Sequence, residues 1–334
     1  MSDAAGVTRL VDAPAVTALG GGHGLSMSLR ALRRLTDRVT AVVTVADDGG
    51  SSGRLRAELD VLPPGDLRMA LAALAGDDDW GTVWRELMQH RFAGHGALAG
   101  HAVGNLVISG LTEVTGDPVR ALELTAQMLG CAGRVLPLST MPLDIVADVV
   151  GLDRDDPGAV TQVRGQVRVA TTPGRVVAVH LVPESPVGCA EAISAVESAD
   201  VVVLGPGSWF TSVLPHLLVP DVAKALVATE ARKVVTLNLS PQRGETDGFS
   251  PETHLEVLSA HLPDLQVDVV LADPRAVPDP DRLADVAAGM GAELALAEVG
   301  QADGSPVHDP ELLAAALRPL LTTTSPTSTV KRGQ

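Results

Sequence analysis

The sequence predicts an α/β fold with a doubly wound, mostly parallel sheet and a small antiparallel β extension. Short runs of Val, Leu, Ala and Ile recur between helical patterns along the 334 residues, as expected for strands buried on both faces. Two of these runs lead into glycine-rich turns that begin helices, which is typical of a ligand-binding parallel sheet. The chain is 46% hydrophobic but has only three Phe, three Trp and no Tyr, so its core must be aliphatic.

Apolar runs and helical spacings place the elements in order along the chain. In the first part we predict strands at residues 15–19 and 39–45 and helices at 25–35, 67–75, 82–90, 102–115 and 118–129. In the last part we predict strands at 201–204, 233–237, 267–271 and 293–297 and helices at 188–198, 222–229, 251–261 and 310–321. Residues 272–281 hold three Pro and three Asp and predict a loop.

Residues 135–185 interrupt this alternation and predict the antiparallel extension. Val163, Val167 and Val169 alternate with polar residues, and residues 176–182 are rich in strand-forming side chains. A Pro-Gly turn separates these two runs, which favours strands that pair in opposite directions.

The domain boundaries follow from composition. We predict a single domain over residues 15–321, a flexible leader over 1–14 and a disordered Thr/Ser-rich tail over 322–334. The tail is either a kinase substrate or an inert segment.

Charge and cysteine usage exclude several classes of protein. The chain has 25 Lys and Arg against 41 Asp and Glu, a net charge of −16, so we expect no nucleic-acid partner and no attraction to anionic membranes. Cys131 and Cys189 indicate neither a disulfide scaffold nor a zinc site. Neither a secretory signal nor an apolar run of about 18 residues is found, so we expect a cytoplasmic protein without membrane insertion.

The first glycine-rich turn comprises Gly20, Gly21, Gly22, His23 and Gly24. Glycine lets backbone N–H groups approach an anion, and the following helix adds the positive end of its dipole. The turn lacks both the Gly-Lys-Ser/Thr of a Walker A loop and the last glycine of G-x-G-x-x-G. It is either a phosphate cradle, which we favour, or only a tight strand-to-helix turn.

Polar residues crowd the end of the second predicted strand, namely Asp47, Asp48, Ser51, Ser52 and Arg54. An acid at this place commonly accepts hydrogen bonds from a ribose, whereas two adjacent carboxylates could instead hold magnesium. The serines offer hydroxyl donors, and Arg54 could neutralise a phosphate. A solvated turn is the alternative, but the density of donors favours a binding site.

Two further motifs leave both a structural and a functional interpretation open. Asp66 has the position of a helix N-cap, unless it or its neighbour Arg68 faces a ligand. His101 and Asn105 lie four residues apart and would project from one helix face, where adjacent glycines permit close approach of a ligand.

The second glycine-rich turn comprises Gly205, Pro206, Gly207 and Ser208. The Trp-Phe pair that follows could stack on a nucleobase, although core packing is favoured. The carboxyl ends of parallel strands meet at one edge of a sheet, so both glycine turns should converge on one negatively charged group.

The loop after the next strand contains Asn238 and Gln242, whose amides could hydrogen-bond a base or a sugar. No nucleophile motif such as G-x-S-x-G or H-E-x-x-H is present, and we assign no catalytic residue.

Six stretches occur in a characteristic order over residues 16 to about 260. They are residues 20–26, 45–56, 64–68, 100–106, 205–208 and 242–248. Together they resemble the gluconeogenesis factor family, called YvcK, which is similar in fold to the 2-phospho-L-lactate transferases, called CofD. The resemblance implies a Rossmann-like, CofD-type fold. His23 stands where this family usually has Thr, and the chain from about residue 267 matches poorly.

The resemblance also implies a function. Members of the family are associated with binding UDP-sugars such as UDP-N-acetylglucosamine, and with normal cell shape and wall growth on gluconeogenic carbon sources. The transferase relatives bind a guanine nucleotide and move a phospholactyl unit in deazaflavin coenzyme synthesis. Cell-wall synthesis proteins or kinases are then the expected protein partners, and a homo-oligomer is a further expectation.

Two hypotheses from different classes follow. In the first, a nucleotide-sugar sensor, the glycine turns cradle a diphosphate, Asp47 or Asp48 takes the ribose hydroxyls, and the amides of the 238–242 loop face the base or sugar. In the alternative, a magnesium-dependent CofD-type transferase, Asp47, Asp48 and Asp66 hold the metal ion with a bound nucleotide. An NAD(P)-dependent oxidoreductase is disfavoured because the G-x-G-x-x-G pattern is broken.

Overall fold

The computed structural model describes residues 10, 12–242 and 244–322. Its strands are β1 (Val16–Gly20), β2 (Val39–Val43), β3 (Arg134–Pro137), β4 (Asp144–Val150), β5 (Thr161–Arg164), β6 (Arg175–Val182), β7 (Val201–Leu204), β8 (Arg232–Thr236), β9 (Val269–Ala272) and β10 (Glu293–Leu296). Its helices are α1 (Gly22–Leu32), α2 (Gly50–Leu59), α3 (Pro64–Leu74), α4 (Asp79–Gln89), α5 (Val103–Thr115), α6 (Pro118–Met128), α7 (Gln166–Ala170), α8 (Ala190–Glu197), α9 (Pro215–Leu218), α10 (Pro220–Ala228), α11 (Pro251–His261), α12 (Pro280–Gly289) and α13 (Pro310–Thr322). One π-helical turn (Trp209–Val213) precedes α9. All of the predicted tail except Thr322, and most of the predicted leader, lie outside the described residues.

Seven strands form one parallel sheet in the order β10-β9-β8-β7-β1-β2-β3. The chain first builds outward from β1 to β3, then returns to β7 on the other side of β1 and builds outward to β10. In such sheets ligands bind beyond the carboxyl ends of the strands at which the order reverses. Both glycine-rich turns follow these two strands, and the predicted doubly wound fold is confirmed.

The central strands are apolar because helices cover both faces of the sheet. β1, β7 and β9 are buried at every residue. Among the covering helices, α1 packs against α3 and α13, and α8 packs against α10. Full burial of an aliphatic side chain contributes about 1.5–3 kcal/mol, so the sheet is a firm platform for the loops at its edge.

The extension is a separate antiparallel sheet in the order β5-β4-β6. Its existence is confirmed, but the predicted strand through Val163, Val167 and Val169 is wrong. Val163 lies in β5, whereas Val167 and Val169 lie in the short helix α7. The physical reason is a distant contact: the Asp48 carboxylate accepts a hydrogen bond from the Val167 N–H at 2.9 Å, at the first turn of α7.

Other elements differ from the prediction in position or existence. β3 overlaps the start of the range predicted for the extension but belongs to the parallel sheet, beside β2. β4, the middle strand of the extension, was not predicted. α12 begins inside the predicted loop, where Asp279 accepts a hydrogen bond from the Arg282 N–H at 3.1 Å and Pro280 takes the first helical position. Among the described residues, no helix combines the length and apolarity needed to cross a bilayer.

Candidate functional site

The two glycine-rich turns lie side by side at the carboxyl edge of the sheet. Leu19 and Leu204 are register neighbours at the ends of β1 and β7. The Ser28 hydroxyl of α1 donates to the Gly205 carbonyl oxygen at 3.1 Å. Gly24 packs so closely on the backbone of Pro206 that a Cβ at position 24 would overlap it. The turns therefore form one surface made largely of backbone.

The first turn is the N-terminal end of α1, which begins at Gly22 rather than at the predicted residue 25. Gly22 has a φ of +58°, in the left-handed region that favours glycine. A Cβ at Gly21 would lie 2.6 Å from Thr44 Oγ1 and 2.7 Å from an Asp66 carboxylate oxygen, so a side chain does not fit there. The first N–H groups of a helix lack partners within it and can bind an anion, and the exposed His23 lies in this turn.

Asp66 is not the N-cap that its position suggested. The cap of α3 is Pro63, and Asp66 lies within the first helical turn. Its carboxylate lies beside the backbone of Gly22 and the side chain of Thr44, and both neighbours act to lower its pKa. Burial, and then repulsion from Asp47, raise the pKa of Asp66 to about 7. Asp66 therefore places a buried carboxylate against the first glycine turn, and this carboxylate changes charge near neutral pH.

Asp47 and Asp48 are adjacent in sequence but serve different elements. One Asp47 oxygen accepts from the Gly49 N–H at 2.9 Å, and the other lies beside Gly65 at the start of α3. Asp48 is exposed, and its carboxylate accepts the hydrogen bond from the Val167 N–H of α7. The carboxylate pair at the site is therefore Asp47 with Asp66. In the part of the chain that the structure describes, no group of three or more His, Cys, Asp or Glu could hold a metal ion.

Ser51 contacts both His101 and Asn105. Its hydroxyl lies 2.9 Å from His101 Nδ1 and accepts from the Asn105 amide at 2.9 Å. The tautomer of the His101 ring sets whether Ser51 or Nδ1 donates in this contact. Burial lowers the pKa of His101 and favours the neutral ring.

The expectation that His101 lies on a helix is wrong. The residue precedes α5, which begins at Val103 after a β-like Ala102. The buried Ser51 nevertheless brings His101 and Asn105 together. The Asn105 Oδ1 atom is buried and has no partner among the described residues.

Ser52 and Arg54 support neighbouring segments. Ser52 is buried against Gly65, where a Cβ would overlap its hydroxyl. Arg54 is exposed and donates to the carbonyl oxygens of Ala99 at 2.8 Å and Ala97 at 3.4 Å. Arg54 therefore fixes the loop between α4 and α5.

Asn238 holds the second glycine turn. Its Oδ1 accepts from the Gly207 N–H at 3.0 Å, and its Nδ2 donates to the Gly207 carbonyl oxygen at 2.8 Å. The amide that sequence reasoning directed at a ligand is thus bonded to the turn itself. Gln242 differs, because its Oε1 is buried and has no partner among the described residues.

Glu245 is a site residue that sequence reasoning missed. It is 5% exposed, accepts from the Thr211 N–H at 2.8 Å and also accepts from the Ser208 hydroxyl. Burial raises the pKa of its carboxyl. The sequence does show an acidic residue within the 242–248 stretch, but it does not show that this residue is buried. Trp209 and Phe210 are 0% and 1% exposed, which confirms core packing for the aromatic pair.

Known proteins match this chain across the whole parallel sheet. The family model described as 2-phospho-L-lactate transferase CofD matches residues 16–295. A Mycobacterium tuberculosis protein, named provisionally as a gluconeogenesis factor, is 55% identical over 305 residues, 90% of this chain and 89% of that protein. The gluconeogenesis factor of Halalkalibacterium halodurans is 40% identical over 264 residues, 79% of each chain.

Solved structures agree with these sequence matches. A crystal structure of a UPF0052 family protein from Bacillus halodurans has a TM-score of 0.78 at 34% identity, covering 90% of this chain and 97% of that one. The family match begins at β1 and ends in β10, so it includes both glycine turns. The chain therefore belongs to the gluconeogenesis factor family of CofD-like proteins.

Proposed function

We propose that this protein is a cytoplasmic regulator that binds a UDP-sugar, such as UDP-N-acetylglucosamine, in the crevice between β1 and β7. Binding reports the supply of cell-wall precursor and changes a contact with a protein of wall synthesis or a kinase. Through this contact the protein supports cell shape and wall growth under gluconeogenic conditions.

The observation that carries this proposal is the close packing of the two glycine turns at the reversal of strand order. Backbone N–H groups at the start of α1 suit a diphosphate, and the second turn packs directly beside them. Asp47 would take ribose hydroxyls, and Gln242, with its unpartnered Oε1, would face the base or the sugar. Asn238 would act indirectly by fixing Gly207.

Thermal unfolding with different ligands tests the proposal. UDP-N-acetylglucosamine, UDP-glucose, GTP and NADP are compared at equal ionic strength. A ligand at about 100 times its Kd adds roughly 2.7 kcal/mol, which raises the midpoint by about 5 °C in a domain of this size. A rise with the UDP-sugars but not with NADP supports UDP-sugar binding, whereas an unchanged midpoint with all four ligands contradicts it.

A magnesium-dependent CofD-type transferase is the second candidate, and the Asp47–Asp66 pair favours it. The two carboxylates repel each other, and Mg²⁺ commonly binds one or two carboxylates together with substrate phosphates. Bound there, the ion would neutralise charge on a nucleotide-activated phospho-substrate, and Asp47 and Asp66 would hold it.

Mass spectrometry of mixtures with GDP- and UDP-activated phospho-substrates tests this candidate. Turnover that needs Mg²⁺ and is lost in Asp47→Asn supports a transferase. The absence of turnover with every substrate contradicts the transferase and leaves UDP-sugar binding to the thermal test.

A further inference from the structure

Arg68 is a buried cation for which the described residues supply no hydrogen bond and no ion pair. It lies in α3 and is 4% exposed, and its Nε is fully enclosed without a hydrogen-bond acceptor. Within the described residues, Arg68 has no carboxylate oxygen within the 4.0 Å of an ion pair. Burying an unpaired charge costs several kcal/mol, so the position of Arg68 calls for an anion that completes it.

The surroundings of Arg68 do not supply that anion. Burial, and then the neighbouring Arg91, lower the pKa of Arg68 to about 10, and attraction from Asp66 and Asp47 offsets only part of this effect. Both carboxylates face other groups: Asp66 lies against the first glycine turn, and Asp47 accepts a hydrogen bond from the Gly49 N–H.

Further positive charge gathers at the same place in a chain of net charge −16. We call Arg54, Arg68 and Arg91 the arginine cluster. Arg54 and Arg91 both act electrostatically on His101, and Arg91 also acts on Arg68. Arg91 is anchored by donating to the Gly100 carbonyl oxygen at 2.9 Å, and Arg54 is anchored at Ala99.

Helix α5 packs against Arg68 at a glycine and also carries a buried polar group without a partner among the described residues. A Cβ at Gly104 of α5 would lie 2.9 Å from Arg68 Cγ, so the stem of Arg68 lies directly on this helix. Asn105, which follows Gly104 on α5, is 1% exposed, and its buried Oδ1 has no partner among the described residues. Buried polar atoms are nearly always satisfied in a working protein, so Arg68 and Asn105 mark a place where a ligand group belongs.

We propose that the arginine cluster and the adjoining face of α5 form a second anion subsite, which takes a carboxylate or phosphate carried on the sugar of the bound nucleotide sugar. This inference rests on the proposed function and adds a specificity to it. Arg68 follows Asp66 by two residues, so the two side chains leave α3 in nearly opposite directions. The subsite therefore lies beyond the carboxylate pair, away from the glycine turns that hold the diphosphate.

The test compares UDP-glucose with UDP-glucuronate, which differ only in that a carboxylate replaces the terminal CH₂OH. Calorimetric titration of the intact protein should give at least tenfold tighter binding of UDP-glucuronate, because a charge-assisted hydrogen bond typically discriminates by this much. Arg68→Gln should remove this preference without changing the affinity for UDP-glucose. Arg120→Gln, a substitution at the exposed Arg of α6, is the matched control and should change neither affinity.

A second variant keeps the test valid if Arg68→Gln does not fold. Arg91 is exposed, so Arg91→Gln should fold normally and weaken UDP-glucuronate binding severalfold while leaving UDP-glucose unaffected. Equal affinity of the unmodified protein for both ligands would overturn the subsite. An equal loss of both ligands in Arg68→Gln and in Arg91→Gln would overturn it too, because it would show a merely structural role.

One further experiment distinguishes a failure of the subsite from a failure of the proposed function. If neither UDP-sugar binds, the proposed function fails, and inorganic phosphate then tests the subsite alone. Phosphate should raise the thermal midpoint over that in chloride at equal ionic strength, and Arg68→Gln should lose this rise while Arg120→Gln keeps it. An identical response in all three proteins would overturn the subsite, and the rise with phosphate would then come from the glycine turns.

Discussion

Gly24 of the first glycine turn lies directly against the backbone of Pro206 in the second, with no room for a side chain between them. The Ser28 hydroxyl, one turn further along α1, bonds the Gly205 carbonyl oxygen and strengthens this contact. The surface where the two turns meet is therefore built from backbone. Backbone N–H groups at a helix start are what a diphosphate requires, so the contact connects the fold to the proposed ligand.

Gly24→Ala should lower the free energy of unfolding by about 1–3 kcal/mol, because the new Cβ must displace the backbone at Pro206. Helix propensity acts in the opposite direction but by only about 1 kcal/mol. Urea unfolding followed by circular dichroism measures the change. Gly110→Ala in α5 is the matched control, since no atom lies within 4 Å of its added Cβ. If both variants were equally stable, the close approach at Gly24 would be wrong.

The contribution of Asp66 to the free energy of unfolding should decrease as the pH rises toward neutrality. Its pKa is about 7 in the folded protein and near 3.8 in the unfolded chain. Between these values the folded protein keeps a proton that the unfolded chain has released, so this contribution to stability is greatest below about pH 4 and is lost by about pH 7. Asp66→Asn mimics the protonated form and should stabilise the protein at pH 8, by at most about 4 kcal/mol.

The measurement for Asp66 is the free energy of urea unfolding at pH 5 and pH 8. Asp264→Asn, at an exposed loop position, controls for the removal of one negative charge. The expected result is a smaller decrease between the two pH values in Asp66→Asn alone. Parallel decreases in all three proteins would contradict the raised pKa.

The sheet and its helices could be predicted because their hydrophobic patterns are local in the sequence. β7 (Val201–Leu204) and α11 (Pro251–His261) were predicted to the residue, the first from a short all-aliphatic run and the second from helical periodicity. α7 could not be predicted, since its first turn depends on Asp48, which lies far away in the sequence. β4 was passed over because Asp144 and Asp148 interrupt its apolar pattern; within the extension, Asp144 pairs with Arg164 and Asp148 hydrogen-bonds His180.

The site could be located from sequence, but the roles of its residues could not be assigned. Glycine turns and acids at the ends of strands identify the carboxyl edge. Asp48 and Asn238 were expected to face a ligand, yet each bonds the backbone of the protein itself. The role of Arg68 was left open and Glu245 was not selected, because only tertiary packing buries the first without a partner among the described residues and makes the second hold a loop.

Glu245→Ala should cost about 1–3 kcal/mol, because it leaves the buried Thr211 N–H without an acceptor. Glu245→Gln keeps an oxygen at this place and should cost less. Chemical denaturation at pH 7 measures both, and Glu256→Ala, at an exposed position of α11, should be close to neutral. An alanine variant no less stable than the glutamine variant would show that Glu245 does not hold the second turn.

Asp48→Ala should loosen α7 without disturbing the parallel sheet. The Val167 N–H loses its acceptor, and loss of a capping bond costs about 1 kcal/mol, or roughly a fivefold rise in amide exchange. Hydrogen exchange read by mass spectrometry should therefore increase at residues 166–171 and stay unchanged in β1. Asp153→Ala is the control, because its carboxylate bonds only the Asp155 and Asp156 amides within the same extension.

α7 also contacts the loop after β8, because Gly244 lies against the backbone of Ala170 and Thr171. Loosening the helix should therefore raise exchange at residues 244–248 as well, since the loop that carries Glu245 loses a supporting surface. Exchange that rises in both segments would establish α7 as a link between the loops after β2 and β8. Unchanged protection of α7 in Asp48→Ala would instead mean that the extension is held in place without this bond.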